Sequence, residues 1–282
     1  MMHRQSDSVA ENLWTTPFSE ELSGWELLQY FWEAAQSYLC VHIAMKVIDL
    51  NADVGEGAGS DAEILPLISS ANICCGLHAG GVEESARTIR EAIRAGVVIG
   101  AHPGYADREH RGRREWPVTA EQLQHLVLYQ VGALQVLAEA LGGQVCYVKP
   151  HGALYHQICR ERMLAEACVQ ALKRWQLPIV GLPGSQLEAA CEGRLPFIRE
   201  GFLDRRYRSD GSLVPRHEAD ALILDPQQAV AQAEHLLQNC GIQTLCVHGD
   251  TPEAVVLIRN VRAELLRQGY LIRSFVHSDK LA

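Results

Sequence analysis

Lys149 and His151 stand two residues apart at the end of an apolar run, Val145-Cys146-Tyr147-Val148. A buried strand that stops in a lysine and a histidine delivers a cation and an acid/base to one point. A lysine there is costly unless it meets a negative group, whether a substrate carboxylate, a phosphate or Asp53. The same punctuation recurs. Asp49, Asn51 and Asp53 follow Lys46-Val47-Ile48, and His78 follows Ala71-Asn72-Ile73-Cys74-Cys75. His102 follows Val97-Val98-Ile99-Gly100-Ala101, and His248 with Asp250 follows Thr244-Leu245-Cys246-Val247.

Each cluster suggests a chemistry. Asp49, Asn51 and Asp53 lie two apart, so in an extended segment they face one side and can converge on a metal, another cation or an amine. His78 is flanked by glycines at a strand-to-helix junction, where backbone can approach a ligand. His248 reads as an acid/base with Asp250 as its orienting carboxylate, although Asp250 can equally cap a helix. Arg205, Tyr207 and Arg216 belong to a basic stretch that begins at Asp204, read either as a solvated face or as an arginine fork for an anion.

These residues need a scaffold that gathers strand ends. From Lys46 onward apolar strands alternate with amphipathic helices, the pattern of a parallel sheet covered on both faces. Seven or eight such units predict an irregular, TIM-barrel-like (β/α) barrel of about seven strands, in which functional residues sit at the C-terminal strand ends. A doubly wound open sheet is the alternative. Gly55-Glu56-Gly57-Ala58-Gly59 does not match its dinucleotide fingerprint. Ser60-x-x-Glu63 and Thr119-x-x-Gln122 read as capping boxes. Helices are expected over roughly 81–94, from Thr119 to about Leu141, and over 161–175. Asp225-Pro226 reads as an N-cap followed by proline at the first helical position, and Thr251-Pro252 as the same device. Residues 45–282 read as one domain. Residues 1–44, acidic and holding three of the five tryptophans, read as an appended extension with a helix near 20–38.

Composition bounds the function. The chain has 282 residues and a formal net charge of −9, so it lacks the basic surface of a nucleic-acid binder. No signal sequence or membrane span is evident. Nine cysteines without C-x-x-C spacing read as reduced thiols of a cytoplasmic protein.

The motifs Asp49-Leu50-Asn51-Ala52-Asp53, Ala71 to Gly80, Gly100-Ala101-His102-Pro103-Gly104-Tyr105, Lys149-Pro150-His151-Gly152-Ala153-Leu154-Tyr155, Asp204-Arg205-Arg206-Tyr207, Leu213-Val214-Pro215-Arg216 and Val247 to Pro252 together resemble the LamB/YcsF family. The resemblance runs from about Lys46 to Phe275. It departs at Leu77, where the family usually has Phe, and at Gly81-Val82, where it has Asp-Pro.

The resemblance implies a barrel related to the glycoside hydrolase/deacetylase superfamily. It also implies ATP-dependent opening of 5-oxoproline (pyroglutamate) to L-glutamate, with Mg²⁺-ATP as co-substrate and 5-oxoprolinase subunits B and C as partners. No P-loop sequence occurs in the chain. On this reading Asp53, Lys149, His151 and His248 carry the catalysis. Asp49, Asn51, His78, His102, Tyr105, Arg205, Tyr207, Arg216 and Asp250 line the substrate site. No metal ligands are assigned. A metal hydrolase holding a divalent ion on Asp53, His78 and His102 remains the alternative, although neither H-x-x-x-H nor H-E-x-x-H occurs.

Overall fold

The computed structural model describes residues 46–276; the expected extension over 1–44 and its helix lie outside the described residues. Eight parallel strands follow one another: β1 (Lys46–Val54), β2 (Ser70–Cys74), β3 (Val98–His102), β4 (Val145–Val148), β5 (Ile179–Gly181), β6 (Phe197–Phe202), β7 (Thr244–His248) and β8 (Tyr270–Ile272). Strands β1 to β7 pair in sequence order, and β1 pairs with both β2 and β7, closing a seven-stranded barrel. β8 pairs with the first residues of β1, Lys46–Ile48, while Asp49–Asp53 pair with β7. Closure rules out the doubly wound sheet.

Eight helices are described: α1 (Asp61–Ile64), α2 (Val82–Ala95), α3 (Ala120–Ala140), α4 (Gly152–Arg160), α5 (Arg162–Leu172), α6 (Gln186–Cys191), α7 (Pro226–Asn239) and α8 (Ala254–Arg267). The helices bury their apolar faces on the outside of the barrel. Ile89 and Ala92 of α2, Leu123 and Val127 of α3, and Leu257 and Val261 of α8 share one core with β1 residues Leu50, Ala52 and Val54. Because successive strand residues face opposite ways, Asp49, Asn51 and Asp53 then point to the barrel axis, and all three are buried.

The capping expectations divide. Thr119 and Gln122 form the reciprocal box that opens α3, and Asp225 accepts from the Gln227 amide with Pro226 at the first turn of α7. Ser60 does not cap; its hydroxyl donates to the Gly249 carbonyl and ties α1 to the end of β7. Thr251-Pro252 does not start α8 either. The N-cap is Glu253, because Thr251 turns its hydroxyl to Asp204. The helix expected over 161–175 is α5, and a further helix, α4, precedes it; the two are separated at Glu161, whose backbone is extended. At the Gly81-Val82 departure α2 still forms, with Gly81 as an N-cap without a side-chain bond. Among the described residues no helix is long and apolar enough to cross a membrane.

Candidate active site

The barrel axis holds a column of polar groups. At its lower end Asp49 accepts from the hydroxyls of Ser69 and Ser70, each at 2.6 Å, and of Thr244. Burial pushes its carboxyl up to about 6 against these three donors. One pleat higher, the Asn51 amide donates to Thr244 at 2.6 Å and to Glu200 at 3.2 Å, and its carbonyl accepts from Asn72 at 2.7 Å. Asp53 sits one pleat higher again, beside the mouth. Asp49 and Asn51 therefore support the column instead of lining the mouth, and Asp53 alone of the three reaches it.

Lys149 rises from the end of β4 into this column. Its Nζ lies 3.0 Å from Asp53 Oδ1, 2.9 Å from Glu200 Oε1 and 2.9 Å from Cys246 Sγ. Burial alone would depress its pKa, but Asp53, Cys246 and Glu200 together hold it well above the usual lysine range. The negative group that Lys149 meets is thus protein: Asp53, among the partners expected, with Glu200 beside it. Burial would raise the Asp53 carboxyl, yet His102 and Lys149 hold it well below its usual range.

Three imidazoles stand next to Asp53. His78 and His151 stack in parallel with centroids 3.9 Å apart, and His102 meets them edge-on. Glu56 Oε1 lies 3.1 Å from His78 Nε2, 3.2 Å from His151 Nδ1 and 3.7 Å from His102 Nε2. The stack is clamped by glycines. A Cβ at Gly104 would sit 2.6 Å from His78 Nδ1, and one at Gly112, where φ is +67°, 2.8 Å from His78 Cβ. Burial, with His151 alongside, pushes His78 down to about 3, and burial likewise lowers His151.

On the other side of Asp53 is a second acid/base. His248 Nδ1 lies 3.0 Å from both oxygens of Asp204, which also accepts the His248 amide at 3.1 Å and the Thr251 hydroxyl. Burial would raise the Asp204 carboxyl, but His248 overrides it and holds it at about 2. A carboxylate on Nδ1 fixes that nitrogen as N–H and leaves Nε2 as the free acceptor. Nε2 lies 3.9 Å from Asp53 Oδ2, and the His248 ring stacks on Phe202. The orienting carboxylate is therefore Asp204, and Asp250 has another task.

Asp250 accepts from Arg113 at 2.6 Å and from Arg216 Nη1 at 3.2 Å. Arg205, only 5 % exposed, donates to the Val214 carbonyl at 2.7 Å. Burial and the nearby Arg216 lower its pKa. Among the described residues, Arg216 Nε and Nη2 and Arg205 Nε are buried donors without a partner. These arginines line a cleft of about 1490 Å³ that Asp53, His102, Lys149, His151, Glu200 and His248 also line. One wall thus offers unmatched cationic donors, and the floor offers carboxylates and imidazoles.

The remaining expectations separate. The Tyr105 ring is buried, stacks on Trp116 at 6.2 Å and donates its hydroxyl to Gln157, so it braces the loop after β3. Tyr207 lines the cleft, but its hydroxyl accepts from the Phe202 amide. The sequence reading missed Glu56, Glu200, Arg113 and the pairing role of Asp204. Glu56 lay in plain view between two glycines, weighed there only as part of a nucleotide fingerprint.

Comparison with known proteins agrees with this architecture. A relative from Methylococcus capsulatus, the A subunit of 5-oxoprolinase, is 43% identical over 244 residues, which is 79% of this chain and 94% of the relative. The crystal structure of the lactam utilization protein from Thermus thermophilus superposes with a TM-score of 0.74 at 38% identity, over 81% of this chain and 100% of that one. The sequence model described as the LamB/YcsF family matches residues 48–280, which takes in β1 from Ile48, β2 to β7 whole and every residue of the cleft floor, so the chain belongs to the LamB/YcsF family.

Proposed function

We propose that this chain is the A component of a cytoplasmic ATP-dependent 5-oxoprolinase, opening the lactam of 5-oxoproline to L-glutamate together with subunits B and C. One observation carries the reading at the level of chemistry. A cleft whose wall holds unpartnered buried guanidinium donors has, across its floor, a histidine with its free nitrogen presented by a buried carboxylate. That pairing suits a small anion with a hydrolysable carbonyl, and 5-oxoproline is a carboxylate beside a cyclic amide. The names of the relatives point to the same substrate class.

In this reading Arg216 and Arg205 hold the substrate carboxylate. His248 Nε2 takes a proton from water as the water oxygen bonds to the ring carbonyl carbon. The carbon–nitrogen bond then breaks, and the ring nitrogen takes that proton to become the glutamate amine. Asp204 holds His248 in the productive tautomer. Lys149 holds Asp53 beside it. A lactam is a resonance-stabilised amide and a poor electrophile, so its activation by phosphoryl transfer from Mg²⁺-ATP to the ring oxygen is assigned to the partner subunits. Breaking the carbon–nitrogen bond of the phosphorylated adduct then leaves γ-glutamyl phosphate, and a second water splits it into glutamate and inorganic phosphate. The test is reconstitution. The purified chain mixed with subunits B and C, Mg²⁺-ATP and 5-oxoproline should release glutamate, and the chain alone should release little. Rapid ATP-independent release by the isolated chain would overturn the reading.

A further inference from the structure

We propose that Glu56, His78, His102 and His151 form a binding site for one divalent transition-metal ion of the zinc class. The proposal stands on the geometry of this cluster and not on the lactam reading. His102 Nδ1 lies 2.6 Å from the Lys149 carbonyl, and His151 Nε2 lies 2.8 Å from the Arg111 carbonyl. A carbonyl oxygen only accepts, so both nitrogens carry their hydrogens there. In a neutral ring so held, the other nitrogen is a bare lone pair. These two lone pairs face each other at 3.0 Å, and both face Glu56 Oε1. Asp53 Oδ2 adds a further acceptor 3.3 Å from His102 Nε2. These acceptors repel one another unless a positive charge lies between them, while His78 Nε2, 3.1 Å from Glu56 Oε1, is held in neither tautomer by a carbonyl.

A proton bridges two of these atoms; a metal ion satisfies all four ligands. A tetrahedral zinc with bonds of about 2.0–2.1 Å sets its ligand atoms about 3.3 Å apart. The separations from Glu56 Oε1 to the three rings are 3.1, 3.2 and 3.7 Å, and all four ligand atoms lie within 4.8 Å of one another. Backbone carbonyls on the outer ring nitrogens are the usual support of metal-bound histidines. The second Glu56 oxygen is anchored by Arg111 at 3.4 Å, leaving Oε1 for the cluster. The parallel stack of His78 on His151 at 3.9 Å opposes two imidazolium charges, and one of the two rings must turn out of the stack for both in-plane lone pairs to reach a single ion. Three imidazoles and one carboxylate favour zinc and its first-row neighbours over magnesium. The cluster borders the cleft through His102 and His151, which line it. Bound there, it would supply a Lewis acid at the cleft floor.

The test reads metal directly. The full chain is purified without chelator, its metal content is measured, and the metal-stripped chain is titrated with zinc chloride, with magnesium chloride as control. One zinc per chain and a raised melting temperature with zinc but not with magnesium are expected. Glu56→Gln and His78→Asn should each weaken zinc binding by at least about 10–100-fold, the loss seen even for outer partners of such ligands. Should either variant fail to fold, visible absorption of Co²⁺ added to the stripped wild-type chain reports an ion held by nitrogen and oxygen. Substoichiometric metal with no zinc-dependent shift and no cobalt spectrum would overturn the site and leave shared protons in the cluster. Full-affinity zinc binding by both folded variants would overturn it equally. Neither result bears on whether the three-subunit mixture releases glutamate.

Discussion

Asp204 and His248 belong to neighbouring strands of the barrel, just past β6 and at the end of β7, and the carboxylate takes the histidine Nδ1 with both oxygens at 3.0 Å. The pair acts as one unit. Asp204 selects the tautomer, and His248 presents Nε2 to the cleft.

Replacing Asp204 by Asn should therefore lower kcat far more than it alters KM. A loss of about 10²–10⁴-fold is expected, the scale for a positioned acid/base and its orienting carboxylate. Asp250→Asn should instead raise KM, because Asp250 aligns Arg113 and Arg216. Steady-state kinetics of the two variants in the reconstituted complex checks the contrast. An equal effect of both on kcat would return the orienting role to Asp250.

Arg216 holds Asp250 with one nitrogen and has two buried nitrogens unpartnered. Arg216→Ala should weaken substrate capture by about 10–150-fold, the equivalent of one charge-assisted hydrogen bond of roughly 1.5–3 kcal/mol. Arg216→Lys should recover little, since a point charge does not reproduce a planar fork. The KM for 5-oxoproline and the affinity for a non-hydrolysable cyclic analogue are the measurements.

Lys149 sits between two carboxylates, Asp53 and Glu200, and is 2 % exposed. Lys149→Ala leaves both charges uncompensated and should destabilise the barrel by roughly 3–5 kcal/mol. For a domain of this size that lowers Tm on the order of 10 °C. Adding Glu200→Gln should restore part of the loss, because one orphaned charge is removed. Thermal unfolding of the single and double variants decides; an unchanged Tm in Lys149→Ala would show that the pair carries no folding energy.

Asp49 gives a pH signature. Its folded pKa is about 6, above the unfolded value of 3.8, because burial disfavours the charged form. A raised acid contributes full stability below the unfolded pKa and loses it as pH climbs through the folded pKa. At neutral pH the wild type bears a cost of about 3 kcal/mol that Asp49→Asn lacks. The stability of Asp49→Asn relative to wild type should improve between about pH 4 and pH 7, and melts across that range would show it. A flat difference would mean that the three hydroxyl donors hold the carboxylate at its ordinary pKa.

The amino-acid order determined a good deal alone. All-apolar strands separated by amphipathic helices have few solutions other than a covered parallel sheet, so the barrel and its functional end were readable from 46 onward. Polar residues that end apolar runs must lie at one rim, which placed Asp53, His102, His151 and His248 around one cleft. Tertiary structure decided depth and partners. Alternation sends Asp49, Asn51 and Asp53 to the same axis, but only barrel closure sets which of them reaches the mouth and which lies two pleats below. His248 had Asp250 two residues away, and the fold gave it Asp204 instead, since Asp250 is taken by Arg113 and Arg216 while the turn after the neighbouring strand β6 brings Asp204 within hydrogen-bond reach. Glu56 was hidden for a related reason. It follows Gly55 at φ +75°, a turn that leaves the strand period and swings the carboxylate over the histidines, and no periodicity in the sequence encodes that swing.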